Sequence, residues 1–322
     1  MKKLNHLIEQ FIHDFQIADI EEFTFTSRLS EIISSNEKCV SYPKNRKHIP
    51  LKKSMKYSQN FLKSVSEEYA KEIENVQLEC ELNSPIDPYS DYIESTKQKY
   101  IYLAYQNRIR DSFIITHELI HATTIEEYVS IARNLFCEMF SFTAEMMQRD
   151  FFEQQGIKNA AINDQTVIGS LQEINKINMF QTILVSEFLD RGYITASNFM
   201  DLLNQYDEKE IIMISNHISE NIDQNNFDIF FQNRYIVGYL FACYFYDYIK
   251  DKEEFIALNS VINQYNIEDV IHYLDLEYKD TFYLDLTEES YQKLENSYQK
   301  RLKKYRRIYE KNFSNCFRNS CT

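Results

Sequence analysis

Residues 111–123 read DSFIITHELIHAT and contain the pattern His-Glu-x-x-His at positions 117–121. Residues four apart lie on one face of an α-helix, so this spacing predicts that the imidazoles of His117 and His121 reach one metal ion. Glu118 then lies beside the open coordination position, where a carboxylate can accept a proton from water. A lone histidine on an apolar helix face is usually a core residue, but two at this spacing with an acid between them favour a zinc site.

A catalytic zinc ion usually has three protein ligands and a water, so the motif lacks one ligand. Glu138 is the leading candidate, because segment 135–142 is largely apolar and a buried carboxylate is costly unless it is paired or bound to metal. Glu126 and Glu127 are closer in sequence, but they lie at a predicted helix start, where the helix dipole alone favours acids. Glu145 lies two turns beyond Glu138, and we expect it to support a ligand rather than to bind the metal.

The composition excludes several classes of protein. The 322 residues are 44% hydrophobic, which is enough for a substantial core. A formal net charge of −14 argues against nucleic-acid binding, which relies on clustered Lys and Arg. No segment approaches the roughly 18 apolar residues that a membrane span requires. Polar residues interrupt the N-terminal segment where a secretory signal would need an apolar run, so we expect a cytoplasmic protein.

Proline and glycine are scarce, which favours long helices. The last of the four prolines is Pro88, and the whole chain has four glycines. Residues 99–105 are rich in β-formers and predict a strand directly before the motif helix. We therefore expect a mainly α fold with a small sheet beside the site, divided into an N-terminal helical portion (1–85) and a catalytic domain (86–322), or one continuous domain. Apolar periodicity predicts helices at 5–16, 52–77, 126–155, 166–191, 196–205, 208–223, 235–250, 251–264, 267–274 and 288–310.

These motifs together resemble the thimet oligopeptidase and oligoendopeptidase F family of gluzincin zinc peptidases. Tyr100–Tyr105 followed by residues 111–119 is similar to the strand and helix that enter the family's zinc site. The spacing from Glu138 to Glu145 resembles the family segment whose first Glu is the third zinc ligand. Residues 85–87 resemble the element before the strand, and Arg234–Tyr239 resembles a tyrosine-containing helix start.

The resemblance implies a zincin-like fold and a metalloendopeptidase with one zinc ion per chain. It assigns zinc ligation to His117, His121 and Glu138, the general base to Glu118, oxyanion stabilisation to Tyr235, and the cleft lining to Tyr239 or Phe231. We further expect a peptide or flexible protein segment to add as a strand along Tyr100–Tyr105, beside Tyr102 and Ala104.

Some features depart from the family pattern. Relatives generally have Gly where this chain has Ile120, and they are much longer, with an extra N-terminal half that forms the other wall of a deep channel. We therefore expect a more open cleft, or one closed by a second copy in a homo-oligomer. Three alternatives remain: a zinc amidohydrolase acting on a non-peptide amide, a non-catalytic zinc-bound module that binds peptides, and an interaction protein with a chance motif.

Overall fold

A computed structural model describes residues 1–14, 24–34, 48–125, 131–157, 160–227, 229–249, 251–280 and 285–319. These residues form thirteen α-helices and five short strands, which confirms the predicted mainly helical fold with a small sheet. None of the helices in these ranges is long and apolar enough to cross a membrane.

The first half of the chain runs α1 (Lys2–Asp14), α2 (Thr24–Ser34), α3 (Leu51–Val65), α4 (Glu67–Asn75), β1 (Gln77–Leu82), β2 (Tyr89–Ile93), β3 (Gln98–Tyr105), α5 (Ile109–Thr124) and α6 (Ile131–Gln154). The second half runs α7 (Ala161–Arg191), α8 (Ala196–Leu203), α9 (Glu208–Gln224), α10 (Ile229–Tyr248), α11 (Lys252–Val261), α12 (Ile267–Tyr273), β4 (Tyr278–Asp280), β5 (Asp285–Leu286) and α13 (Glu288–Asn319).

Most predicted helices are present, with differences at their ends. The stretch predicted as one helix over 52–77 is two helices, because Ser66 is extended and its hydroxyl caps α4 by accepting from the backbone N–H of Glu68 at 3.1 Å. Helix α7 begins five residues before the predicted start, and α10 begins six before it. The predicted start of α6 at residues 126–130 lies outside the described residues.

The small sheet has the order β1-β3-β2, with β1 parallel and β2 antiparallel to β3. Strand β1 pairs with Tyr100–Tyr105 over its whole length, and β2 occupies the other edge as far as Tyr102. The expectation that a peptide adds along the whole of Tyr100–Tyr105 therefore needs correction, because β3 is central. The outer edges of this sheet belong to β1 and β2.

Helix α5 is fixed at both ends. At its start, the Asp111 carboxylate accepts from the backbone N–H of Arg108 at 2.9 Å, as an acid at this position of a helix commonly does. At its end, the carbonyl of His121 accepts from the Arg133 guanidinium at 3.2 Å, and the carbonyl of Thr124 accepts from the Asn263 amide at 2.8 Å. Side chains of Arg133 and Asn263 thus hydrogen-bond two carbonyls at the helix terminus that carries the motif.

The chain divides into two compact units. Unit 1 comprises Met1–Glu37, Ser170–Ile236 and Tyr278–Tyr291, and its core joins α1, α7, α8 and α9. Unit 2 comprises Lys38–Gly169, Val237–Glu277 and Gln292–Thr322, and it contains the three-stranded sheet, α5 and α6. Strands β1 and β3 belong to one sheet although the boundary predicted after residue 85 separates them. That boundary otherwise stays a prediction.

Candidate metal centre

Three side chains that are far apart in sequence converge within unit 2. The Nε2 atoms of His117 and His121, both on α5, lie 3.1 Å apart. Glu138, on α6, places its Oε2 3.0 Å from Nε2 of His117 and 3.4 Å from Nε2 of His121. The Glu138 side chain is 3% exposed, and those of His117 and His121 are 13% and 10% exposed. These three residues form a group that could hold a metal ion.

The spacing and the chemistry of this group fit a four-coordinate ion. Zinc bonds of 2.0–2.1 Å in a tetrahedron separate neighbouring ligand atoms by about 3.3 Å, and the three observed separations of 3.0–3.4 Å lie around that value. Two imidazole nitrogens and one carboxylate oxygen are also a donor set that hydrolytic zinc sites use. The residues present therefore fit the metal that the sequence implies.

A glycine allows the helix behind Glu138 to approach closely. A Cβ built on Gly238 of α10 would lie 2.3 Å from Cβ of Glu138 and 3.0 Å from the backbone nitrogen of Met139. No larger residue fits there without a shift of one helix. Further along α10, Phe245 packs edge-on against Phe140 of α6 with ring centroids 6.0 Å apart, which continues the same helix contact. Gly238 thus sets how closely α10 supports the segment that carries Glu138.

His117 is oriented by a carboxylate on the side away from the three converging atoms. Its Nδ1 lies 2.7 Å from Oε1 of Glu145, whose other oxygen accepts from the side-chain amide of Asn163. The Phe142 ring packs edge-on against the imidazole at 5.2 Å. A carboxylate can only accept here, so Nδ1 carries a proton and Nε2 is the nitrogen that faces the centre. Glu145 thus occupies the position that a supporting residue would need.

His121 is oriented by Ser141, for which the sequence analysis predicted no role. The Ser141 hydroxyl lies 3.1 Å from the carbonyl of His117 and 3.2 Å from Nδ1 of His121. Because the hydroxyl hydrogen goes to the carbonyl, Nδ1 of His121 must be the donor in the second contact. The Nε2 lone pair of His121 therefore also faces the centre. The signals in the sequence were that Ser141 follows Glu138 by about one helical turn and is the fourth residue of the segment from Glu138 to Glu145 that resembles the family.

The charge of each side chain at the centre depends on burial and on its charged neighbours. Burial opposes a charged His117, but the hydrogen bonds and charges of Glu138 and Glu145 raise its pKa well above 6.5. Burial lowers the pKa of His121 to about 4. Burial also opposes ionisation of Glu138, but the two histidines outweigh it and hold its pKa well below 4.5. Without metal, a proton on Nε2 of His117 therefore lies between the other two donor atoms.

Two further predicted residues lie in unit 2 near these helices. Glu118 is buried on α5, at 6% exposure, directly after His117. Tyr239 is also buried, and its ring packs edge-on against Phe142 at 5.3 Å. Phe142 contacts His117 in turn, so Tyr239 is separated from the centre by one aromatic ring. In this arrangement Tyr239 supports the wall behind the imidazole.

The remaining predicted residues are not brought to the centre by any contact described within unit 2. Tyr235 belongs to unit 1, where the Arg234 guanidinium lies over its ring at 4.9 Å and 3.0 Å from its hydroxyl. Tyr102 is buried, and its hydroxyl is already hydrogen-bonded to Glu81 and Ser84. Ala104 is half-buried in β3. Glu126 and Glu127, and the side chain of Phe231, lie outside what the structure describes.

Comparisons with known proteins give a distant structural similarity. No protein-family model and no curated protein matches the chain. Among solved structures, the chain is similar to a "putative peptidase" from Chlamydophila abortus, with 14% identity and a TM-score of 0.48. The match covers 94% of this chain and 55% of that one, so this chain spans about half the length of that protein. A similarity at this level carries no assignment of activity.

Proposed function

We propose that this protein is a zinc-dependent metallopeptidase that hydrolyses internal bonds of oligopeptides or of a flexible protein segment. The observation that supports it most is the convergence of Nε2 of His117, Nε2 of His121 and Oε2 of Glu138 within 3.4 Å of one another. Both imidazoles have a partner on Nδ1 that directs Nε2 toward the centre. The resemblance to oligopeptidases supplies the reaction class.

His117, His121 and Glu138 would hold the zinc ion. When bound, zinc supplies Lewis-acid chemistry that activates water and stabilises the oxyanion. Glu118 accepts one proton of the attacking water as its oxygen adds to the peptide carbonyl carbon. The same carboxyl then returns that proton to the amide nitrogen as the C–N bond breaks, which gives a carboxylic acid and an amine; the acid proton passes to the amine at neutral pH, so that a carboxylate and an ammonium group leave.

The other proposed roles belong to tyrosines and to the sheet. We assign Tyr235 to hydrogen bonding of the oxyanion, by resemblance, because a phenol O–H is a donor that a tetrahedral intermediate can use. We move peptide binding from β3 to the outer edge of β2, because β3 is central and β2 packs against α5. Main-chain hydrogen bonds to that edge would hold an extended peptide with little dependence on its sequence.

Metal content and peptide cleavage of three purified variants test this proposal. We expect about one zinc per wild-type chain, retained in Glu118→Gln and lost in Glu138→Ala, as a three-ligand site requires. Cleavage of a panel of unstructured peptides should disappear in both variants. Glu94→Gln, at an exposed position in the turn between β2 and β3, is the matched control and should keep both properties.

Two results would contradict the proposed metallopeptidase activity. A wild-type protein that takes up no zinc from excess metal would rule out the metallopeptidase and leave the motif as a structural feature. Stoichiometric zinc without cleavage of any peptide would favour the non-catalytic peptide-binding module or the amidohydrolase. Product analysis with non-peptide amides separates those two.

A further inference from the structure

The Glu145 carboxylate, which orients His117, is itself fixed by a hydrogen bond from another helix. Glu145 accepts a hydrogen bond from the Nδ2 group of Asn163, in the first turn of α7. Asn163 is 2% exposed, so no solvent molecule can easily replace its amide. The contacts therefore form a line from Asn163 to Glu145 to His117.

A separate ion pair anchors the same turn of α7. Arg149 lies one helical turn after Glu145 on α6, so both side chains project from one face. Its Nη1 lies 3.0 Å from Oδ2 of Asp164, the residue after Asn163. The Arg149 side chain is fully buried and also contacts Asp150 through Nε at 3.0 Å. Two neighbouring residues of α7 thus contact two residues of α6 that are one turn apart.

The contact of Asn163 with Glu145 joins a neutral amide to a carboxylate, whereas the contact of Asp164 with Arg149 is an ion pair. The neutral amide of Asn163 faces the Glu145 carboxylate, which another carboxylate would repel at this depth. The carboxylate of Asp164 faces the Arg149 guanidinium, which would be costly to bury alone. Because Asp164 anchors the turn independently, loss of the Asn163 amide removes one hydrogen bond without releasing the start of α7.

We propose that Asn163 is a positioning residue of the metal centre. Its N–H fixes the Glu145 carboxylate, and that carboxylate fixes the His117 imidazole with Nε2 toward the metal. The inference rests on the proposed function, since it concerns how well a metal is held. It assigns to Asn163 a part in metal affinity that is separable from its contribution to folding.

Three full-length variants separate the positioning role from a structural one. Asn163→Leu keeps the branched shape and the number of heavy atoms of the side chain, at slightly larger volume, and removes the donor. Asn163→Ala removes the donor without adding bulk, and it replaces the leucine variant if that one does not fold. Asp164→Asn weakens the ion pair with Arg149 but leaves the amide of Asn163 against Glu145. Thermal unfolding of the metal-free proteins and zinc affinity by chelator competition are measured for each.

We expect the zinc dissociation constant to rise roughly 10- to 100-fold in the Asn163 variants, the range typical of residues that support a metal ligand. Asp164→Asn should lower the melting temperature at least as much while the zinc dissociation constant changes much less. The cobalt-substituted Asn163 variants should show altered d–d absorption, because the imidazole of His117 is free to turn.

The outcomes distinguish this inference from the proposed function. A wild-type protein without zinc affinity overturns both. A wild-type protein that binds zinc, with unchanged affinity and cobalt spectrum in the Asn163 variants, overturns only the positioning role. Affinity losses that simply follow the loss of melting temperature, equally in Asn163 and Asp164 variants, overturn it as well.

Discussion

Nδ1 of His117 and Oε1 of Glu145 lie 2.7 Å apart and connect the motif helix to the helix that carries the third candidate ligand. Glu138 and Glu145 are both on α6, so one helix supplies an acid to each nitrogen of the same imidazole. An imidazole between two carboxylates is a strong base, and a strong base is a good ligand for zinc. The pair thus fixes both the direction and the donor strength of His117.

Glu145→Gln tests the charge of this contact. The amide oxygen can still accept from Nδ1, so the ring should keep its direction, but the negative charge that strengthens Nε2 is lost. We expect zinc affinity to fall roughly 10-fold, at the lower end of the range for residues that support a metal ligand. Chelator competition measures the change, with Glu94→Gln as the control of equal chemistry at an exposed position. An affinity equal to wild type would show that Glu145 is only a packing partner.

Gly238→Ala tests the close approach of α10 to Glu138. The added methyl would lie 2.3 Å from Cβ of Glu138, so one helix must move. Overpacking of this kind typically costs about 1–3 kcal/mol, and the movement should also weaken zinc binding because Glu138 is displaced. The melting temperature of the metal-free protein and the zinc dissociation constant measure the two effects.

Gly156→Ala is the matched control for that variant. Gly156 has φ of +68°, so alanine is strained there by about 1–2 kcal/mol, but nothing lies within 4 Å of the added methyl. It should lose stability and keep its zinc affinity. If both glycine variants retain zinc equally well, the approach at Gly238 is not important for the metal centre.

The sequence predicted the parts of the centre whose physical cause is local. The spacing of His117 and His121 follows from the helical period, and Glu138 stood out because an acid in an apolar segment needs a partner. The roles of Ser141, Asn163 and Gly238 could not be predicted in this way. Each depends on where a second helix crosses the first, and no periodicity within one segment encodes that crossing.

The sheet shows the same division between local and long-range causes. Strand β3 was predicted because its β-formers stand out against the helical chain around it. Strand β1 was not predicted, although Leu78, Cys80 and Leu82 alternate with polar residues over its six positions, five of which are exposed. That β3 is central follows from the pairing of β1 and β2 on either side, which composition does not record.

Zinc binding should release about one proton near pH 7, because the metal needs the Nε2 lone pair that His117 uses for a proton in the metal-free state. The pKa of His117 is raised well above 6.5, so that proton is present before metal arrives. Acid therefore competes with zinc, and affinity should weaken as the pH falls. Calorimetric titrations in buffers of different ionisation enthalpy count the protons. A binding enthalpy independent of the buffer would mean that His117 is neutral without metal.

Arg149 and Asp164 should behave as a buried ion pair whose single variants are costly. The Arg149 side chain is fully buried and that of Asp164 is 5% exposed, so Arg149→Met leaves the Asp164 carboxylate buried without the guanidinium. Loss of one partner of such a pair typically costs about 3–5 kcal/mol.

The double variant Arg149→Met/Asp164→Leu removes both charges and should recover much of that loss, although Asp150 also loses a contact with Arg149. Urea unfolding of the two single variants and the double variant measures the coupling. Additive losses would show that the two charges stabilise the fold independently, through other neighbours.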